Sequence, residues 1–238
     1  DLEAALSPRV RHGARLAEPR PRPHEGRSLI FSPQRAWGRC GGDQGVAPPR
    51  AGSASIAGVE SLRGHYLIAA PGLLDPNFAR TVVLVAEHTE EGAMGLILNR
   101  ASDVTVAEAV PDLAHLAGDD VVHLGGPVAP DSVVVLADYD DPADAGLLVC
   151  GSLGLPGADA KLEELGSSVR RVRVFAGHAG WAPGQLEGEL EREDWIVEPA
   201  VPEEIFTEDP DHLWSTVLAR KGGQYALLAR MPLDPSLN

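Results

Sequence analysis

Apolar residues cluster in short runs from residue 59 onward, and their spacing changes along the chain. Tyr66 to Ala70 is a brief apolar run closed by Pro71-Gly72, with a second turn signal at Asp75-Pro76-Asn77. Thr81 to Glu87 is rich in β-branched residues, and Ala93 to Leu98 repeats that character after Glu90-Glu91-Gly92, which predicts a hairpin. His123 to Val128, Ser132 to Tyr139, Leu147 to Cys150 and Trp195 to Glu198 predict further strands. In Val169 to Phe175 the alternation puts Val172 and Val174 on one face and Arg171 and Arg173 on the other, so its outer face should be polar.

Helical spacing is rarer. Val106 and Val110 stand four apart behind Asp103, a candidate cap, and before Pro111, which predicts a helix over 104–110. A brief helix is expected over 158–165. Leu186 and Leu190 predict one over 183–193, with Pro183 in its first turn. Leu213, Val217 and Leu218 predict another over about 209–221, stopped by Gly222-Gly223. Strands outnumber helices without alternating with them, so the expected class is α+β rather than doubly wound. No repeat of 20 to 50 residues is visible, which excludes a solenoid.

Charge divides the chain. Residues 1–58 carry nine arginines against five acids, a balance of +4, with seven prolines and eight glycines. The formal charge of −15 over all 238 residues therefore leaves −19 on residues 59–238. The first stretch shows no useful periodicity and reads as a disordered extension, and the native chain is expected to start near Val59. No apolar run is long enough to span a bilayer as a helix, and the expected location is cytoplasmic. Two cysteines, Cys40 and Cys150, are too few for a disulfide scaffold or a four-ligand zinc site. The six histidines of 59–238 form no H-x-H or H-E-x-x-H group, so neither a metal nor a cofactor is implied.

Two segments are candidate binding sites. Gly125-Gly126-Pro127 has the composition of a backbone nest for an anion, although it lacks a phosphate-loop lysine and reads more simply as a structural turn. Gly177-His178-Ala179-Gly180-Trp181, followed by Pro183, Gln185 and Glu187, joins two glycines, an imidazole and an indole ahead of a helix as a candidate small-ligand pocket, although packing alone is the simpler reading. Arg170, Arg171 and Arg173 are the clustered cations available to a nucleic acid, or a solvated strand face. Glu187 and Glu191 share a helix face without an identifiable partner. Cys150 lacks an activating base, and Cys150-Gly151-Ser152-Leu153-Gly154 is not a nucleophile elbow. No catalytic residue is assigned, and an enzyme is not expected.

The motifs also carry a resemblance. Pro71-Gly72-Leu73-Leu74-Asp75-Pro76-Asn77-Phe78, His88, Gly92 to Arg100, Gly125-Gly126-Pro127-Val128 and Phe175 to Glu187 together resemble the YqgE/AlgH family of bacterial proteins, in order and spacing, over about residues 59–238. The ending Asp234-Pro235-Ser236-Leu237-Asn238 resembles actinobacterial members. His178 stands where the resemblance leads one to expect Tyr, and Ala182 where it leads one to expect Gly. The resemblance implies a single α+β domain with a bifurcated, pseudo-barrel mixed sheet flanked by short helices, no established catalytic activity, and a transcriptional-regulator label. The acidic charge argues against that label, because a domain at −19 repels DNA phosphate. The expected function is a non-enzymatic regulatory or accessory protein acting through protein contacts. One alternative is a small-ligand sensor using the grooves around Gly125-Gly126-Pro127 and Gly177 to Trp181, and a second, carried by the family label alone, is a DNA-binding transcriptional regulator; neither nucleic acid nor membrane is the expected partner of the acidic domain.

Overall fold

The computed structural model describes residues 61–231. Residues 1–58, with the expected extension and start site, lie outside them. The apolar runs become ten strands: β1 (His65–Ala69), β2 (Val82–Thr89), β3 (Gly92–Ile97), β4 (Ala101–Thr105), β5 (Val121–Leu124), β6 (Val128–Tyr139), β7 (Leu147–Cys150), β8 (Leu153–Leu155), β9 (Val169–Trp181) and β10 (Trp195–Pro199). Helices are short: α1 (Val106–Ala109), α2 (Ala114–Ala117), α3 (Gln185–Glu191), α4 (Pro202–Ile205), α5 (Leu213–Lys221) and α6 (Tyr225–Leu228).

The strands join in the order β10-β1-β2-β3-β9-β6-β8-β7, with β4 and β5 branching from β9. The branch arises because β9 changes neighbour along its length. Its first part pairs with β6 from Tyr139↔Val169 to Val133↔Ala176, and its end pairs with β3 at Gly95↔Ala179 to Ala93↔Trp181. At the junction β5 lies parallel to it, His123↔Phe175 and Leu124↔Ala176, while the other pairings are antiparallel. The sheet is thus bifurcated as the resemblance implies, but it does not close into a barrel.

Three apolar clusters cover the faces. Tyr66, Leu84, Leu96, Leu136 and Phe175 surround α5, whose Trp214 donates its indole N–H to the Ala69 carbonyl at 2.9 Å. Val172 and Val174 pack with Val106, Leu113 and Leu165. Leu67, Val85, Trp181, Leu186 and Trp195 form the third.

Local chemistry moves several expected boundaries. Thr105, not Asp103, caps α1, since Thr105 and Glu108 complete a reciprocal capping box and residues 101–105 pair as β4. The helix expected over 158–165 is a 3₁₀ segment, Leu162–Ser167. α3 begins two residues after Pro183, because Gly184 at φ 74° turns the chain immediately before it. The helix expected from 209 starts at Leu213, and α4 and β8 are too short to give a period. The outer face of β9 is not simply solvated, for Phe206 lies under Arg171 at 4.1 Å and near Arg173 at 5.8 Å.

Candidate functional site

Gly125, Gly126 and Gly177 meet where β5 leaves β9. A Cβ on Gly125 would lie 2.3 Å from the Gly177 carbonyl oxygen, and one on Gly126 would lie 2.3 Å from the His178 carbonyl and the Ala179 amide. One on Gly177 would come within 2.7 Å of the Gly126 carbonyl oxygen. Gly126 also sits at φ 152° and Gly177 at φ 69°, where only glycine is unstrained. Backbone therefore fills the space directly against these three Cα atoms. The Gly125 amide is spent on the Ala176 carbonyl, and the Gly125 carbonyl accepts from Ile97, both at 2.9 Å.

The outer side of the same loop is open. Pro127 and Gly126 line a groove of about 270 Å³ with Pro76, Ile97, Leu124 and Pro130. Leu124 is 51% exposed and Val128 41%, on either side of Gly125-Gly126-Pro127, although large aliphatic residues are elsewhere mostly covered. Leu74, near the Pro76 end, is 83% exposed. Arg100 stands beside this groove and is tied to the Ala79 carbonyl at 2.7 Å.

From the same junction Gly177 to Trp181 lead on to α3. His178 and Trp181 are buried and Gly180 is exposed. Trp181 and Trp195 both donate their indole N–H to Glu189 Oε2, at 2.7 and 2.8 Å, and Gln185 donates to Glu189 Oε1 at 2.9 Å. Phe78 completes an aromatic triangle with the two indoles at centroid distances of 5.6 to 6.2 Å. Glu189, missed by the sequence reading, is the hub; it stands eight residues after Trp181 and six before Trp195, a spacing that carries no recognisable period. Pro183 is exposed, and Gln185 Oε1 accepts from the Ala182 amide, holding the start of α3.

Glu187 pairs with His88, Oε1 to Nε2 at 2.9 Å. The Leu62 amide donates to His88 Nδ1 at 3.1 Å, so the proton of the neutral ring is on Nε2 and points at Glu187. The imidazole thus links α3 to the chain entering β1. Glu191 is exposed and takes no part.

The three arginines are committed locally. Arg170 and Arg171 clamp the two oxygens of buried Asp138 at 2.7 and 3.2 Å, and Ser152 donates to the same carboxylate at 2.6 Å. Burial alone would raise the Asp138 carboxyl, but the Ser152 hydrogen bond and the two guanidinium groups outweigh it and hold the group below its ordinary range. Arg173 donates to the Ile205 and Thr207 carbonyls at 2.6 and 2.7 Å, anchoring the end of α4.

His123, also outside the sequence-predicted site, is 4% exposed beside Arg173. Burial, then the Arg173 charge, pushes its imidazole down to about 4. A histidine neutral when folded stabilises fully above its unfolded value near 6.5; that stability falls as the unfolded ring gains its proton, until the folded ring titrates near 4. The span corresponds to about 3 kcal/mol at most, and His178, which burial also pushes down, adds in the same direction. Urea unfolding between pH 7 and 4 is expected to lose part of its pH slope in His123→Gln; an unchanged slope would refute this assignment. Burial raises the Cys150 thiol, which suits an inert side chain. Among the described residues no group of three or more His, Cys, Asp or Glu is placed to hold a metal ion, and no helix is long and apolar enough to cross a membrane.

An open, branched α+β sheet with short covering helices defines the class of protein. The model of the AlgH-like family matches residues 66–226, and the chain belongs to that family. It is 43% identical over 187 residues to a UPF0301 protein of Streptomyces coelicolor, covering 76% of this chain and 97% of the relative. A UPF0301 protein of Thermobifida fusca is 41% identical over 191 residues, with 75% and 96% covered. Among solved structures, a protein of Corynebacterium diphtheriae superposes with a TM-score of 0.65 at 33% identity, covering 73% of this chain and 94% of that one. The solution structure of the AlgH protein from Pseudomonas aeruginosa does so at 0.57 and 33% identity, covering 76% and 100%.

Proposed function

We propose that this chain is a non-enzymatic accessory protein of the AlgH-like family that works by contact with another protein, through the surface around Gly125-Gly126-Pro127. The observation that carries the reading is the exposure of Leu124 in the wall of a proline-lined groove, with exposed Val128 following Pro127 in the chain. Aliphatic side chains exposed around one concavity mark contact surfaces more often than aliphatic residues scattered singly. Prolines at 76, 127 and 130 present that surface with little conformational entropy left to lose on binding. The partner that fits offers an aliphatic cluster with a neutral or basic rim, given the −19 charge of residues 59–238.

Two features favour contact with protein over DNA. Arg170, Arg171 and Arg173 are engaged with Asp138 and backbone carbonyls, so a phosphate would have to displace those bonds. The remaining acidic charge repels the duplex.

The test is quantitative capture from nuclease-treated native lysate by the full chain and by Leu124→Asp/Val128→Asp, with Leu227→Asp, an exposed site elsewhere, as control. The expected result is one or more proteins retained by the wild type and the control and depleted at least about tenfold by the double variant, a loss of about 1.4 kcal/mol. Equal capture by all three forms would overturn the assigned surface.

A further inference from the structure

The groove of about 270 Å³ beside Leu124 falls below the size usual for an enclosed small molecule, about 300–1,000 Å³, and suits one or two side chains of a larger partner. Its walls offer no ladder for an added strand. Pro76, Pro127 and Pro130 have no backbone N–H. The amides of Asn77, Ile97 and Leu124 are spent on the Asp75 carboxylate and on the Gly125 and Arg100 carbonyls, at 2.8, 2.9 and 2.7 Å. A segment docking here therefore keeps its own backbone in water, as polyproline II does, and makes its contacts through side chains.

Arg100 is the charged residue of the wall. Its Nη2 donates to the Ala79 carbonyl at 2.7 Å, which fixes the guanidinium against the loop before β2. Its Nε and Nη1 have no hydrogen-bond partner, and no carboxylate is in ion-pair contact with it, among the described residues. The Leu124 amide donates to the Arg100 carbonyl, so the cation and the exposed aliphatic side chain rise from facing positions. Facing residues of that kind stand about 5.5 Å apart. Polyproline II advances about 3.1 Å per residue, so one segment meets both with residues one or two apart. The −19 charge of residues 59–238 repels an acidic partner at large, and this guanidinium favours a single carboxylate set beside an apolar group.

We propose, on the contact surface read above, that the groove recognises an acidic–aliphatic peptide segment of the partner protein, with an aspartate or glutamate one or two residues from an aliphatic residue. The aliphatic side chain lies against Pro76, Ile97, Leu124 and Pro127. The carboxylate accepts from Arg100, whose bond to Ala79 has already met part of the ordering cost. A basic segment would meet Arg100 as a like charge. A wholly apolar one would cover the guanidinium without giving it an acceptor.

Nuclear magnetic resonance titration of the isotope-labelled full chain tests this with end-capped tetrapeptides: Pro-Leu-Glu-Pro, its Gln and Lys analogues at the acidic position, and Pro-Gly-Glu-Pro, which lacks the aliphatic side chain. The expected result is saturable millimolar or tighter binding of the first, read at the Leu124 and Gly126 amides, with each of the others at least about tenfold weaker. Arg100→Gln is expected to bring the Glu and Gln peptides within about twofold of each other, and Leu124→Asp, at an exposed site, to weaken the Glu peptide at least about tenfold. No saturable binding of the Glu peptide, equal binding of the Gln or Lys peptide, or an unchanged preference for Glu in Arg100→Gln would each overturn the proposal. If the peptides fail while capture from lysate still depends on Leu124 and Val128, the acidic–aliphatic reading falls and the contact surface stands; if both fail, the surface falls with it.

Discussion

Gly126→Ala is expected to destabilise the fold by about 2–5 kcal/mol, the sum of overpacking and backbone strain. Its Cβ would sit 2.3 Å from three backbone atoms of His178 and Ala179, and backbone cannot rotate away as a side chain can. The φ of 152° adds strain for any L residue with a Cβ. Because the clash falls where β9 exchanges β6 for β3, relief requires β5 to lift from Phe175 and Ala176, which opens the branch itself. Urea unfolding followed by far-UV circular dichroism measures the effect. Gly72→Ala is the matched control, since its Cβ would meet nothing within 4 Å, and it is expected to change stability by less than about 0.5 kcal/mol. Similar midpoints for the two variants would show that the branch tolerates a methyl group and that glycine there is not structural.

Glu189→Ala is expected to cost about 2–4 kcal/mol, mainly because it leaves the N–H groups of Trp181 and Trp195 without an acceptor in a largely apolar setting. Trp181 is 2% exposed and Trp195 5%, so water reaches them poorly unless the aromatic triangle with Phe78 loosens. Glu189→Gln retains one carbonyl oxygen and is expected to lose about half as much. Tryptophan emission provides a second readout, with a red shift in the alanine variant if water enters. An alanine variant as stable as the wild type would mean that the indoles find other partners and that Glu189 does not fasten α3 to the sheet.

The two effects differ in how far the residues announce them. Gly125, Gly126 and Gly177 stand out in the chain as candidate sites, but the sequence leaves open whether the glycines make room for a ligand or for backbone. The contact of Gly126 with His178 and Ala179, more than fifty residues away, decides in favour of backbone directly against the Cα atoms, and leaves the outer Pro127 face as the open groove. Glu189 and His123 do not stand out at all. A lone carboxylate on an amphipathic helix and a lone histidine on a short strand look like solvated or core residues until Trp181, Trp195 and Arg173 are brought beside them.

The sequence by itself determined the α+β class, the β2–β3 hairpin, the strand character of β1, β9 and β10, the stop of α5 at Gly222, and the resemblance that the family match confirms. These depend on neighbours within a few residues, where alternation, β-branching and turn residues act through local sterics. Tertiary structure alone decided that the sheet branches at β9 and stays open, that β4 replaces the first turn of the expected helix, that Arg171 and Arg173 stand over the Phe206 ring, and that His123 is buried beside Arg173. Each of these depends on contacts between residues far apart in the chain, whose strength is set by burial and electrostatic environment, and one-dimensional spacing carries neither.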